Sequence, residues 1–404
     1  MWAVEGFAGT IQPWWHHISA YHEDRRQYQT AESLFRWHEA NERYLVGRQP
    51  VATVGLVWSK ENIDFYGRDE GEARTIIPYR GFMQALVRAR IPYVSVHADH
   101  IDREAKNVSL LALPSVGALS EEQCQAVRRF VSGGGGLIAT GETSLFDESG
   151  VRRPDFALSD LFGAHASEEY RGNLVPPTQD WEEYSQHSYL RIGNGPEASN
   201  RRHPVFHGFD ETDILPFGGR LEVVTVDGSA AVPLTFIPPF PIFPPETSWM
   251  REPATSEAAL VLNEAGSGRV AYLPANIGYC FGRYNLPDHG DLLANLVRWA
   301  SKDDIPLTVT GAGLIDCHMY RQEENIILHL VNLTNDGTWR TPVHELIAVG
   351  PFQAKVQLPE ELAPSSVRFL VAEKETQLSK VTSGEHSVSF EISSITDHEV
   401  CVIS

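Results

Sequence analysis

Basic residues are scarce in this chain: 33 Lys and Arg stand against 53 Asp and Glu, for a net charge of −20. So acidic a surface disfavours nucleic acid and anionic membranes as partners, and its plain role is solubility. Cysteine is scarce too. Cys124, Cys280, Cys317 and Cys401 form no C-x-x-C pair, which indicates neither a disulfide framework nor a zinc site. Cys124 falls on a helical stretch and Cys317 and Cys401 in strand-like runs, the pattern of buried, inert thiols. No run approaches the roughly 18 apolar residues of a membrane span. Met1 to Glu5 has no basic segment and no long apolar core, so no secretory signal is expected and the default location is the cytoplasm. Gly133–Gly136 lack the Lys-Ser/Thr of a phosphate loop and follow a helical stretch instead of opening one, which makes them a helix-terminating turn.

What the chain does have is apolar patterning. Its 404 residues are 42% hydrophobic with nine Trp, enough for two or three domains with a core each. Val51–Ser59, Tyr93–His97 and Val108–Val116 read as buried strands. A helix over Ser120–Val131 and a strand over Leu137–Thr140 follow. Such alternation predicts an α/β domain with a parallel sheet covered on both faces. Asp147–Asn200 is rich in Gly, Pro and charge, and His203–Phe217 is turn-like. Leu221–Val226 and Ala231–Ile237 read as strands, and Ile237–Pro245, with five prolines, as an extended loop. Ala258–Asn263 and Gly268–Leu273 pair about a turn. Asp291–Ala300 is a helix with Leu292, Leu293, Leu296 and Trp299 on one face.

The two ends differ from this middle. Leu307–Thr310, Leu314–Tyr320, Asn325–Leu333, Ala354–Gln357, Val367–Val371, Ser387–Ile392 and Glu399–Ile403 are short β-like runs between turn signals, which predicts a small all-β sandwich. At the other end, Trp2–Phe7 reads as a strand and Gly9–Trp15 as a loop. A helix begins near Thr30, with Leu34, Trp37, His38, Asn41, Tyr44 and Leu45 at spacings of three and four. One strand and a helix cannot close a core, so residues 1–50 read as the tail of a larger fold.

The stretch from Val51 to Phe146 resembles the doubly wound, flavodoxin-like fold of class I glutamine amidotransferases. Those enzymes carry a Cys on the tight turn after the strand that here ends at Thr140. This turn reads Gly141-Glu142-Thr143-Ser144, and no His-x-Glu pair follows. A glutaminase or protease would need a nucleophile there, and Ser144 has no identifiable companion base. The order of parts is similar to the back half of certain glycoside hydrolases, in which a (β/α)8 barrel precedes an amidotransferase-like β-galactosidase trimerisation domain and a small β-sandwich. The likeness rests on Gln12–Ile18 (QPWWHHI), Val54–Ser59 (VGLVWS), Asp64–Asp69 (DFYGRD), Leu137–Ser144 (LIATGETS) and Val270–Ile277 (VAYLPANI). These look like the hypothetical glycosyl hydrolase 6 type. The resemblance implies a barrel remnant with its connecting helix over 1–50, a trimerisation domain over 51–302 and a sandwich over 303–404. It further implies about 250 barrel residues ahead of Met1 in a full member, a carbohydrate substrate and a homotrimer.

Glycoside hydrolysis uses two carboxylates flanking the scissile bond. Glu5 closes a strand-like run, as barrel carboxylates do, and is the catalytic candidate, although a structural Glu is the plainer reading. Trp14, Trp15, His16 and His17 suit sugar stacking and hydrogen bonding, or packing of the loop. Asp64, Tyr66, Arg68 and Asp69 follow a strand, where ligands of α/β sheets bind; they are either a sugar-site wall or a salt-bridged surface loop. Gly278–Asn285 reads as a second aromatic loop, with Arg283 and Tyr284 as substrate-binding candidates. Cys280 as a nucleophile would need a base, and His289 is only its sequence neighbour. His22, Glu23 and Asp24 lack zinc spacing, so no metal is expected, and no cofactor. The expected function is the C-terminal portion of a β-galactosidase-like glycoside hydrolase, supplying oligomerisation and part of a sugar-site wall. The alternative is an assembly or binding module with an amidotransferase-like fold and no nucleophile.

Overall fold

Continuous apolar runs bounded by polar turns become strands, and five of them assemble in parallel, the inner ones buried on both faces and Tyr93–His97 at the edge buried only at Val96. In the computed structural model, which describes residues 2–12, 14, 26–172, 186–193, 202–241, 243–335, 344–378 and 386–404, these strands are Tyr93–His97, Val54–Trp58, Leu110–Pro114, Gly136–Thr140 and Gly268–Leu273, in that spatial order. Ala258–Ala265, Ala231–Pro241, Gln186–Ile192 and Ile214–Phe217 then extend the sheet antiparallel, to nine strands. The fold is mixed α/β with several sheets, and the parallel arrangement read from the sequence describes only this half of the largest.

Successive strand residues point to opposite faces. Leu111, Leu113, Leu137, Ala139, Val270 and Tyr272 join the core that Cys124, Val127 and Val131 of helix Glu121–Ser132 complete. That helix opens with a reciprocal cap, Ser120 accepting from Gln123 N and Gln123 from Ser120 N. It ends at Gly133, as its glycine run predicts. Tyr272 stacks flat on Phe162, with ring centroids 4.4 Å apart.

By its contacts the chain divides into two compact units, one of residues 53–89 and 93–304, the other of 1–52, 90–92 and 305–404. In the second unit, a six-stranded and a three-stranded antiparallel sheet share one apolar core. The sequence misses its edge strand Lys374–Gln377, which is exposed along its length and has no apolar alternation.

Several local expectations are corrected. Trp2–Ala8 is a helix, not a strand: Val4, Phe7 and Ala8 are the buried residues, a helical spacing of three and four. The following helix starts at Arg26, ahead of the expected cap. Asn62–Gly67 and Glu72–Ile76 are wide helical turns joined by a 3-10 turn at Arg68–Glu70. The proline-rich stretch is strand as far as Pro241, with a register shift between Ile237 and Phe240 that accommodates Pro238 and Pro239. The charged stretch after Phe146 includes strands Ala164–Arg171 and Gln186–Ile192, and the turn-like one ends in strand Ile214–Phe217. Gly278–Asn285 is not a loop: Ile277–Tyr284 is a helix capped by the Asn276 side chain and closed by left-handed Asn285. Its glycines serve a helix crossing, since a Cβ on Gly81 of the facing helix Ile77–Ala89 would meet Gly278 O at 1.9 Å.

A candidate site at the carboxyl ends of the parallel strands

The strand Gly136–Thr140 ends in a turn where Gly141 and Ser144 both take positive φ. Residues 142–144 follow at the carboxyl end of this central strand, all three buried. Thr143 Oγ1 donates to Thr140 O at 2.7 Å, and Ser144 Oγ accepts the Leu158 N–H at 3.2 Å. Ser144 is therefore a packed turn residue engaged with backbone, not a presented nucleophile.

Glu142, at 5% exposure, holds a cluster from three distant parts of the chain. Tyr66 Oη donates to Glu142 Oε2 at 2.8 Å and Arg74 Nη2 to the same oxygen at 2.9 Å. Arg220 Nη2 donates to Glu142 Oε1 at 3.0 Å, and its Nε pairs with Glu222 Oε1 at 2.7 Å. The Arg74 guanidinium lies 4.3 Å over the Tyr66 ring, and that of Arg220 4.3 Å over Tyr170. Burial and then the Glu142 charge push the Tyr66 hydroxyl well above its usual range, so it stays a donor. The same two causes raise Glu222 to about 7. The fit is close, since a Cβ on Gly117 would sit 2.6 Å from the Tyr66 ring. Arg74 Nε and, its ion pair with Glu222 aside, Arg220 Nε make no hydrogen bond among the described residues. Both Glu142 oxygens are nonetheless taken by Tyr66 and the two arginines, so this cluster presents no nucleophile and braces the turn at the end of its strand.

Beside it, a cavity of about 380 Å³ lies past the strand ends, lined in part by Trp58, Ser59, Asn62, Tyr79, Ser95 and Pro114. Trp58 is 40% exposed and meets the His97 ring edge-on at 4.7 Å. Asn62 braces the floor, donating to Ser115 O at 3.2 Å and accepting from Ala118 N at 3.1 Å. An aromatic wall over polar atoms suits a small polar ligand with apolar faces.

The residues singled out in the sequence fall in several places. Tyr66 faces inward, 3% exposed, with its hydroxyl on Glu142. Asp64 pairs on the surface with Lys60. Arg68 is exposed, at positive φ, its Nε donating to Phe65 O at 2.8 Å; Asp69 is exposed beside it. Arg283 donates to Tyr279 Oη at 3.2 Å, and Tyr284 is exposed at the end of the same helix. Burial raises the Cys280 thiol to about 12, and His289 Nε2 donates to Pro216 O at 2.7 Å, so neither serves nucleophilic chemistry.

Trp14 is 77% exposed, while Trp15, His16, His17, His22, Glu23 and Asp24 lie outside the described residues. Glu5 does not end a strand. It sits within helix Trp2–Ala8 in the other unit, raised to about 7 by burial first and the Asp316 charge second. Sequence reasoning missed Trp58, Arg74, Arg220 and Glu222. The one signal for the last two is the alternation Arg220-Leu221-Glu222, two charges flanking a residue that must be buried.

No protein-family model and no curated protein sequence matches the chain. Solved structures do match it. An α-L-fucosidase isoenzyme 2 from Paenibacillus thiaminolyticus aligns at TM-score 0.67 and 15% identity over 94% of this chain and 53% of its own. A β-galactosidase from Bacillus circulans sp. alkalophilus aligns at 0.61 and 12% over 95% and 46%. The β-galactosidase of Rahnella sp. R3 aligns at 0.56 and 14% over 94% and 44%. The chain thus spans about half the length of these enzymes, and at such identities the likeness is one of fold: the chain has a fold found in part of these glycoside hydrolases.

Proposed function

We propose that this chain is the C-terminal portion of a carbohydrate-active glycoside hydrolase of β-galactosidase-like organisation. It supplies oligomerisation and part of the wall of a sugar site, and catalysis requires a barrel beyond residues 1–50. The observation that carries the reading is the alignment of nearly the whole chain with about half of each neighbour. The glycosyl hydrolase 6 type, the trimerisation domain over 51–302, the sandwich over 303–404, the homotrimer and a cytoplasmic location belong to the same proposal. Among the described residues, no helix is long and apolar enough to cross a membrane.

The wall is assigned to Trp58 and the surface turn carrying Asp64, Arg68 and Asp69, with Arg283 and Tyr284 as further contacts; a sugar-binding role for Trp14, Trp15, His16 and His17 is a separate part of the proposal. Tyr66 supports that turn from beneath through Glu142. Sugars stack C–H faces on aromatic rings and exchange hydrogen bonds with charged groups at the rim. A second reading, an assembly or binding module without catalysis, is favoured by the Glu142 turn, which has no nucleophile.

A panel of aryl galactosides and fucosides tests the choice. No turnover by the 404-residue chain alone, with turnover on adding the barrel, supports the hydrolase reading. No turnover in either case supports the assembly module. Turnover by the chain alone contradicts both.

A further inference from the structure

Another cluster of ionisable groups lies in the unit that contains the sandwich. Alternation along strand Ile315–Gln322 sends Ile315, Cys317 and Met319 into the sandwich core, and Asp316, His318 and Tyr320 to the opposite face. Helix Trp2–Ala8 rests on that face. Tyr320 Oη donates to the Ala8 carbonyl, Arg48 Nη2 donates to the Phe7 carbonyl at 2.8 Å, and Val4 and Ala8 pack on Val331. These contacts hold Glu5, next to Val4 in the helix, over Asp316 and His318.

One carboxylate oxygen of Glu5, one of Asp316 and one ring nitrogen of His318 all lie within 4.8 Å of one another. His318 Nε2 and Asp316 Oδ2 are 3.1 Å apart. Asp316 is 6% exposed. Glu5 Oε1 is sealed from solvent and has no hydrogen-bond partner among the described residues. Two carboxylates facing each other away from water repel unless a shared proton, the neighbouring imidazolium or a metal ion lies between them.

We propose that Glu5, Asp316 and His318 bind one divalent transition-metal cation, zinc or manganese, which pins the N-terminal helix to the sheet. Two oxygens and one imidazole nitrogen suit such ions, and two carboxylates balance the double charge. Donors around a tetrahedral ion with bonds of about 2.1 Å stand roughly 3.4 Å apart. The His318–Asp316 pair is already near that spacing, and Glu5 closes the remainder by a small helix adjustment. Water completes the shell. In the comparable trio Glu61, His97 and Asp99, Glu61 Oε2 likewise has no hydrogen-bond partner among the described residues, but the Asp99 side chain is 52% exposed and its Oδ1 accepts from Gln123 Nε2 at 2.6 Å, so that trio is open to water and partly engaged.

The test is titration calorimetry of the metal-stripped full chain with zinc chloride and with manganese chloride, together with thermal melting. The expected result is one ion per chain and a melting temperature raised by several degrees. Glu5→Gln, nearly isosteric and on a partly exposed helix, should weaken binding at least tenfold, as should His318→Gln; His97→Ala should leave it unchanged. The proposal is overturned if neither ion binds at up to millimolar concentration, if Glu5→Gln and His318→Gln bind as the parent does, or if His97→Ala abolishes binding.

Discussion

Replacing Glu142 with alanine removes the acceptor shared by Tyr66, Arg74 and Arg220. Removing one member of a buried, hydrogen-bonded ion pair costs about 3–5 kcal/mol, because the partner charge stays behind unpaired. Two features pull the figure down here. The side chains of Arg74 and Arg220 are 18% and 20% exposed, so water screens part of the loss. Glu222, relieved of its acidic neighbour, ionises more readily and keeps hold of Arg220. The expected cost of Glu142→Ala is therefore about 3 kcal/mol, the low end of that range. Glu142→Gln retains an acceptor for Tyr66 or one arginine and should cost about 2 kcal/mol.

Urea unfolding of parent and variants at pH 7 reads these values as shifts of the midpoint at constant slope. Arg74→Met in the Glu142→Ala background should cost clearly less than it does in the parent, since its partner is already gone. A loss below about 1 kcal/mol for Glu142→Ala would refute the reasoning. The turn would then be held by its backbone alone, and the buried glutamate would need another explanation.

Further outcomes follow from the same structure. Glu222 is raised to about 7, so between its ordinary carboxylate value of 4.5 and about 7 the folded chain keeps a proton that the unfolded chain has released. Its contribution to stability is thus greatest at the acid end of that window and declines as pH rises, by up to about 3 kcal/mol. The parent-minus-Glu222→Gln difference in unfolding free energy should fall from pH 4.5 to 7; a flat difference contradicts the assignment. All four cysteines are buried, with Cys124 raised to about 11 and Cys280 to about 12 by desolvation, so the native chain should not react with a disulfide reagent within minutes and should titrate four thiols once denatured. Fast native reaction would show that a thiol is open to solvent. Gly81→Ala puts a methyl where Gly278 O stands 1.9 Å away, which should cost at least about 2 kcal/mol in thermal unfolding. A change of a few tenths would mean the two helices part freely.

The parts of the fold that were legible are those where burial fixes one simple pattern. Leu110–Pro114 and Gly136–Thr140 are buried at every position, which requires unbroken apolar runs. Phe352–Gln357 alternates buried and exposed, and reads as a sandwich strand for that reason. Legibility failed where one residue type serves two structures. Gly278 and Gly282 suggested a loop, yet they are small because another helix presses on them. Pro238 and Pro239 suggested a loop, yet a bulge admits them to a strand. The Glu142 cluster was half legible. The sequence showed an elbow without a nucleophile, but Tyr66, Arg74, Arg220 and Glu222 reach Glu142 only through the fold, from positions up to 80 residues away. Periodicity carries no signal for such pairings.

The mass of the chain in solution, by light scattering at micromolar concentration and moderate salt, bears most directly on the proposed role. One chain is 45.0 kDa. The account predicts three times that mass, stable on dilution, because a hydrolase part that builds the assembly must associate through its own surfaces. A single-chain mass across the whole concentration range would contradict it.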